Sequence, residues 1–448
     1  MAEIVPFRAV RYAATRGRAL GQLLAPEYDL VSEAQRDELL RRSPHNVIHV
    51  TLGEDRPGDG PATTNKYVRA AEYWSAWLAD GVLRRDPAPA VYPLEQSFWA
   101  PDGRNLKRRG VICAVRLHPF SDGVIVPHEK TLTAPKADRL EVLKAVKANL
   151  SPIFGLYRDD TGVTTRVLDA LAETDPVAET DSDDGVHYRL WRSVNPEVVQ
   201  TLQDLLAPLR IFLADGHHRY ETALAYKRML DDQDPALPPD GGHRYILAFL
   251  CPMNDPGLFL FATHRLVYGL KDFSLPAFLE KLGRYFQVET LAEDIRRPAG
   301  RAWAVSKLAD HAGKATSFLM VSAEDKRARV LTLRDDADFS DAELPKNAML
   351  AALDVTVLHS VVLQHLLGLS PSSQEKQENV TFVRDAGEAV NRVLSGEHPL
   401  GFLLNPTPMW QVEAVGDSGE TMPQKSTLFY PRLMSGLVMR EVNPRERP

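Results

Sequence analysis

Cysteine is nearly absent: Cys113 and Cys251 are the only two in 448 residues, too few for a disulfide framework or a thiolate metal cluster. No run approaches the ~20 apolar residues of a membrane-crossing helix. Met1 to Val10 interrupts its apolar residues with Glu3, Pro6 and Arg8, so it lacks the continuous stretch that a signal peptide needs. A reducing cytoplasm and no membrane partner are expected. An excess of positive charge is missing as well. The net charge of -7 and pI near 6.0 argue against a surface built to neutralise nucleic-acid phosphates. One short basic patch, Arg104, Lys107, Arg108 and Arg109, follows the turn-like Pro101-Asp102-Gly103 and reads as a solvated loop beside a strand.

What is present is enough material for more than one core. Hydrophobic residues make up 44% and charged residues 25%, a globular balance, and 448 residues exceed the ~250 to 300 at which single cores stop growing. Helix and strand signals alternate, giving an α/β chain of mixed α+β character. Ser32 can cap a helix running to Arg42, and Asn46 to Val50 alternates like a strand. A helix from about Thr63 to Asp80 places Trp74, Trp77 and Leu78 on one face and stops at Gly81. Strand-like runs follow at Val91 to Phe98 and Arg109 to Leu117, then a loop at Pro119 to Pro127 and a helix from about Lys136 to Asn149. Asp175 to Asp184 reads as an acidic surface loop, His187 to Trp191 as a strand and Pro196 to Leu206 as a helix. Leu209 to Ala214 is a buried strand, Tyr220 to Leu230 an amphipathic helix, Asp231 to Gly242 a loop and Arg244 to Cys251 a strand. Later helices are expected at Leu275 to Tyr285 and Val355 to Leu366, and strands at Phe402 to Leu404 and Leu428 to Tyr430. The expected division is an N-terminal region over 1–88, a core over 89–270 and a C-terminal domain over 271–448.

The densest polar motif is Asp215-Gly216-His217-His218-Arg219, set between an apolar strand and an amphipathic helix. A helix start carries partial positive charge and aims backbone N–H groups outward, which suits phosphate. Gly216 permits close approach or positive φ, His217, His218 and Arg219 supply donors of positive or switchable charge, and Asp215 is a candidate to hold Mg²⁺ or orient a hydroxyl. A capped helix with surface histidines is the plainer alternative, but strand-to-helix turns are preferred ligand sites. His128-Glu129-Lys130-Thr131 enters a helix similarly. There Glu129 is the candidate general base, His128 its tuning neighbour, and Lys130 and Thr131 candidate phosphate contacts. Neither histidine motif has a partner at metal-ligand spacing. Met422-Pro423-Gln424-Lys425-Ser426-Thr427 is like the tail of a P-loop without the glycines, leaving Lys425, Ser426 and Thr427 as a candidate phosphate or carboxylate clamp, or an ordinary turn. Thr263-His264-Arg265 and Leu353-Asp354-Val355 read as structural. Cys113 and Cys251, in apolar surroundings, read as inert packing rather than a sulfiredoxin-type nucleophile.

With these motifs the chain resembles, over nearly its whole length, the domain-of-unknown-function family ten-fifteen (DUF 1015). The resemblance is carried by Ala25-Pro26-Glu27-Tyr28-Asp29-Leu30, Asn46-Val47-Ile48 and the five motifs just described. Family members usually have Pro before the Tyr-Asp pair, where this chain has Glu27. A more distant similarity, in Pro127-His128-Glu129 and Asp215 to Arg219, is to the ParB/sulfiredoxin-like fold of free L-serine kinases. That resemblance implies a ParB/sulfiredoxin-like core with added N- and C-terminal α/β regions. It implies Glu129 as base and Asp215, His217, His218 and Arg219 as the phosphate and metal face. It also implies ATP or ADP with Mg²⁺ as cofactors and a small hydroxylated metabolite such as L-serine as acceptor. The two motifs lie 86 positions apart (215 minus 129), wider than in compact kinases, although loop insertions cost little. The alternative is a ParB-like nucleotide-binding regulator or DNA-binding protein, which predicts a basic face.

Overall fold

The computed structural model describes residues 1–60, 64–101, 103–129, 133–376 and 378–448, and the chain divides into two compact units. The first comprises 1–127, 131–259 and 431–448, and the second 128–130 and 260–430.

The first unit is built on a nine-stranded mixed sheet. In chain order its strands are β1 (Ile4–Val5), β2 (Tyr92–Trp99), β3 (Asn105–Arg116), β4 (Ile125–Pro127), β5 (Ile153–Tyr157), β6 (Ala178–Asp181), β7 (His187–Leu190), β8 (Ile211–Asp215) and β9 (Tyr245–Pro252). Their spatial order is β4-β8-β5-β9-β3-β2-β7-β6, with β1 antiparallel to β3. All eight residues of β9 are buried, as expected for a strand covered on both faces. Val111, Cys113 and Val115 of β3 and Ile246, Ala248 and Leu250 of β9 share one core cluster with Leu202 and Leu206 of the helix Pro196–Leu206. The period of two along each strand puts these side chains on one face.

The second unit holds a six-stranded, wholly antiparallel sheet. Its strands are β10 (His264–Val267), β11 (Phe286–Thr290), β12 (Ser317–Ser322), β13 (Ala328–Leu333), β14 (Val380–Val383) and β15 (Leu400–Leu404), in spatial order β11-β13-β12-β15-β10-β14. Alternation along β12 divides its side chains between two cores. Phe318 and Met320 join the helix Leu275–Leu282, while Leu319 and Val321 join the helices Pro298–Ala309 and Ala386–Leu394. Helices thus cover both faces, a three-layer arrangement.

Several expectations need correction. Asn46 to Val50 is not a strand; residues Ile48–Thr51 form a helical turn. The Asn46 side chain accepts from Ile48 N and donates to the carbonyls of Gln22 and Leu24, so a local hydrogen-bonding residue overrides the alternating pattern. The basic patch is not a solvated loop: Lys107, Arg108 and Arg109 lie in β3. Arg108 is fully buried, with its guanidinium 4.6 Å from the Phe154 ring centre and bonded to Gln96 and to the Pro431 carbonyl. Within the acidic segment, Ala178–Asp181 forms an edge strand. The helix before Asp231 runs on to Gln233. The expected helix over Val355 to Leu366 divides into a short α-helix, Asp354–Val357, and a π-helix, Leu358–Leu366.

Candidate functional site

The Asp215 turn lies in the first unit, at the end of β8. This strand runs parallel to β4 and antiparallel to β5, and its register against β5 shifts between Leu213 and Asp215. Such an irregularity re-aims the side chain that follows it. Gly216 then takes φ +85° and the helix His217–Gln233 begins at once. Gly216 offers no capping side chain, so the first-turn N–H groups of this helix are a suitable seat for an anion. A Cβ at this position would lie 2.9 Å from Ile153 Cγ2. Gly216→Ala, adding left-handed strain to that approach, is expected to cost on the order of 1–2 kcal/mol, measured by denaturant unfolding.

Beneath the turn is a buried ion cluster. Arg219 donates to Ser151 Oγ (2.8 Å), the Pro152 carbonyl (2.6 Å) and Asp215 Oδ2 (3.0 Å), and pairs with Glu27 Oε1 at 2.5 Å. Arg432 Nη1 reaches Asp215 Oδ1 at 2.8 Å, Glu27 Oε2 at 3.0 Å and Asp29 Oδ2 at 3.6 Å. Glu27 is only 1% exposed. Burial, reinforced by Asp215 and partly offset by Arg219, pushes its carboxyl up to about 8. Burial also opposes ionisation of Asp215, but Arg432 and Arg219 outweigh it and hold that carboxyl below the usual range. The two acids therefore divide their roles, with Asp215 charged and Glu27 the proton holder.

Both Asp215 oxygens are engaged by guanidinium groups, and the neighbouring cations repel a divalent ion. Among the described residues no three His, Cys, Asp or Glu side chains gather as a metal site. In this arrangement Asp215 offers no open carboxylate oxygen to a Mg²⁺ ion, whose remaining ligands would be water and nucleotide phosphate.

A second assembly lies in the second unit and joins motifs far apart in sequence. His128 is fully buried, and its Nε2 lies 2.7 Å from Thr427 Oγ1. The His128 carbonyl accepts from Met422 N at 2.8 Å. Lys425, at φ +57°, donates its backbone N–H to Glu129 Oε1 at 2.6 Å and accepts from Arg265 Nη2 at 2.9 Å. Ser426 Oγ donates to the Pro423 carbonyl. Arg265 Nε donates to His359 Nε2 at 3.2 Å. Burial lowers Arg265 to about 9, and burial together with Arg265 lowers His359 to about 3, so the imidazole is neutral. Lys130 and Thr131 lie outside the described residues.

Sequence spacing did not bring Glu27, Arg432 or Arg265 into the candidate sites. Glu27 stood out only as a charge where the resemblance led one to expect proline. Cys113 and Cys251 are fully buried, and burial pushes both thiols up, which disfavours thiolate chemistry. No helix among the described residues is long and apolar enough to cross a membrane.

No curated protein matches the chain by sequence. Among solved structures, a free serine kinase in complex with AMP is 11% identical, with a TM-score of 0.37, covering 76% of this chain and 93% of that one. A conserved hypothetical protein from Pyrococcus furiosus is 11% identical, with a TM-score of 0.35, covering 76% and 97%. C-terminally truncated SbnI from Staphylococcus aureus is 13% identical, with a TM-score of 0.35, covering 72% and 84%. At the level of sequence families the match spans residues 4–356, and the chain belongs to the family described as "Protein of unknown function (DUF1015)".

Proposed function

We propose that the protein is a nucleotide-dependent small-molecule kinase that transfers a phosphoryl group from ATP or ADP to the hydroxyl of a free amino acid such as L-serine. The observation that carries this reading is the strand, left-handed Gly216 and helix start over Ile211 to Arg219. Phosphoryl transfer depends on positioning and on stabilising charge around the moving group. A helix start with His217 and His218 in its first turn supplies both. Because Arg219 spends its donors on Ser151, Pro152, Asp215 and Glu27, phosphate contact falls to the backbone N–H groups and the two histidines, with Arg219 contributing charge from behind. Glu129 is assigned removal of the acceptor's proton, and Lys425, Ser426 and Thr427 a supporting role around it.

The test is turnover of ATP and ADP by the purified chain against a set of hydroxylated amino acids, with the phosphorylated product identified by mass spectrometry. L-Serine is expected to give O-phosphoserine. Glu129→Gln is expected to lose about 100-fold or more in kcat, the lower end of what a general base supplies, and His218→Ala to raise the nucleotide KM. If neither nucleotide is consumed with any acceptor, the proposal fails; if activity survives Glu129→Gln, the assignment of the base fails.

A further inference from the structure

The second unit contains a cavity of about 210 Å³ that the kinase reading leaves unused. Its wall comes from the turn that enters the π-helix Leu358–Leu366, from that helix itself and from the segment leading into the Gln424-Lys425-Ser426-Thr427 motif. A π-helix of this length is rare, and π geometry recurs at functional sites. The polar lining includes Thr356, Ser360, Gln364, Gln374, Thr421 and Gln424, and the apolar lining includes Leu350, Pro371 and Phe382.

The most informative of these is Thr356. The residue is 2% exposed, and its hydroxyl has no hydrogen-bond partner among the described residues. A buried hydroxyl without a partner is destabilising, and a turn of this side chain, which borders the cavity, would present the hydroxyl to a ligand that completes the bond. Gln364 donates its amide nitrogen to Glu343 at 3.2 Å, which leaves its carbonyl oxygen as an acceptor. His359 also borders the space, but it is held neutral with Arg265 on Nε2. Among the described residues, no carboxylate, ammonium or guanidinium group lines the cavity. A charged ligand entering it would lose its hydration without gaining a counter-ion. The volume lies below the ~300–1,000 Å³ of pockets that hold drug-sized molecules, which limits the occupant to about one ring system. Phe382 and the proline provide apolar surface for such a ring.

We propose that this cavity binds an uncharged, flat, hydrogen-bonding ring of nucleobase or nicotinamide size, with the Thr356 hydroxyl and the Gln364 and Gln424 amides reading its polar edge. The site is formed by the second unit alone and does not depend on the phosphate turn of the first.

The experiment uses the full chain. Adenine, uracil and nicotinamide are titrated by ligand-observed NMR and calorimetry, with inorganic phosphate and glutamate as charged probes. At least one ring is expected to bind and both charged probes to fail. Thr356→Val and Gln424→Ala are each expected to weaken ring binding tenfold or more. Thr356→Val, which removes the unpartnered hydroxyl at equal size, is also expected to raise the Tm of the ligand-free chain. His218→Ala is expected to leave ring binding unchanged, so failure of the kinase reading and failure of this one are separable. The proposal is overturned if no ring binds, if binding ignores both cavity substitutions, if a charged probe competes, or if Thr356→Val lowers the Tm, because the hydroxyl would then serve the fold.

Discussion

Replacing Arg432 with alanine is expected to destabilise the protein by about 3–5 kcal/mol, the cost of orphaning buried charge. A single guanidinium nitrogen of this residue reaches Asp215 Oδ1, Glu27 Oε2 and Asp29 Oδ2, at 2.8, 3.0 and 3.6 Å. Without it, the carboxyl groups of Glu27 and Asp215 face Arg219 alone, and Asp215 loses the stronger of the two charges that hold it ionised. The backbone of residue 432 keeps its place in the variant, since its carbonyl accepts from Gln96 Nε2 and Tyr188 Oη. The loss therefore reports the side chain rather than unmooring of the segment. The measurement is urea unfolding of Arg432→Ala, Glu27→Gln and the double variant. A strongly non-additive cycle is expected, because Glu27 and Arg432 contact each other directly and share Asp215 and Asp29 as neighbours. A loss below about 1 kcal/mol would place the cluster among the surface ion pairs that contribute little.

Much of the scaffold was legible because its causes are local. Ser32 and Gln35 form the capping box before Glu33–Arg42. Asn195 and Pro196 start the helix Pro196–Leu206 as N-cap and N1. The polar turn after the apolar strand Ile211–Asp215 is a strand-to-helix junction, with Gly216 at the positive φ its position suggested. The illegible parts have non-local causes. Arg108 looked solvated because charge predicts exposure, yet β3 carries it against Phe154 and Phe249, where aromatic faces and hydrogen bonds to Gln96 and the Pro431 carbonyl replace water. Glu27, Asp215 and Arg432 meet through pairing of Ala25 with Ser435, residues separated by 410 positions (435 minus 25), and no spacing rule in a sequence encodes such a contact. The same holds for Glu129 and Lys425: each motif was visible, but the 2.6 Å bond between them was not.

Glu27 gives the second large effect, and its sign is opposite to that of most carboxylates. Its folded-state value is raised to about 8 from an ordinary 4.5, because burial penalises the anion more than Arg219 and Arg432 stabilise it. A raised acid binds its proton more tightly in the folded state. Its stabilising contribution is therefore complete below about pH 4.5 and is lost progressively as pH rises through 8. At ~1.4 kcal/mol per unit, the loss between those limits is at most about 5 kcal/mol, shared with Asp215 because the two groups are coupled. Asp215 works in the other direction. Its depressed value gives stability that is present above the ordinary aspartate range and lost only in acid, so the two windows do not overlap near neutrality. Glu27→Gln keeps the neutral, hydrogen-bonding form at every pH. Relative to that variant, wild-type stability is expected to fall steadily from pH 5 to pH 8, as measured by denaturant unfolding at each pH. The comparison with glutamine removes the contributions of every other titrating group, including Asp354, which burial also raises. A wild-type-minus-variant difference that is flat across this range, or that rises with pH, would mean that Glu27 is ionised in the folded protein. The cluster would then be an ordinary four-charge salt bridge rather than one that stores a proton beneath the helix start.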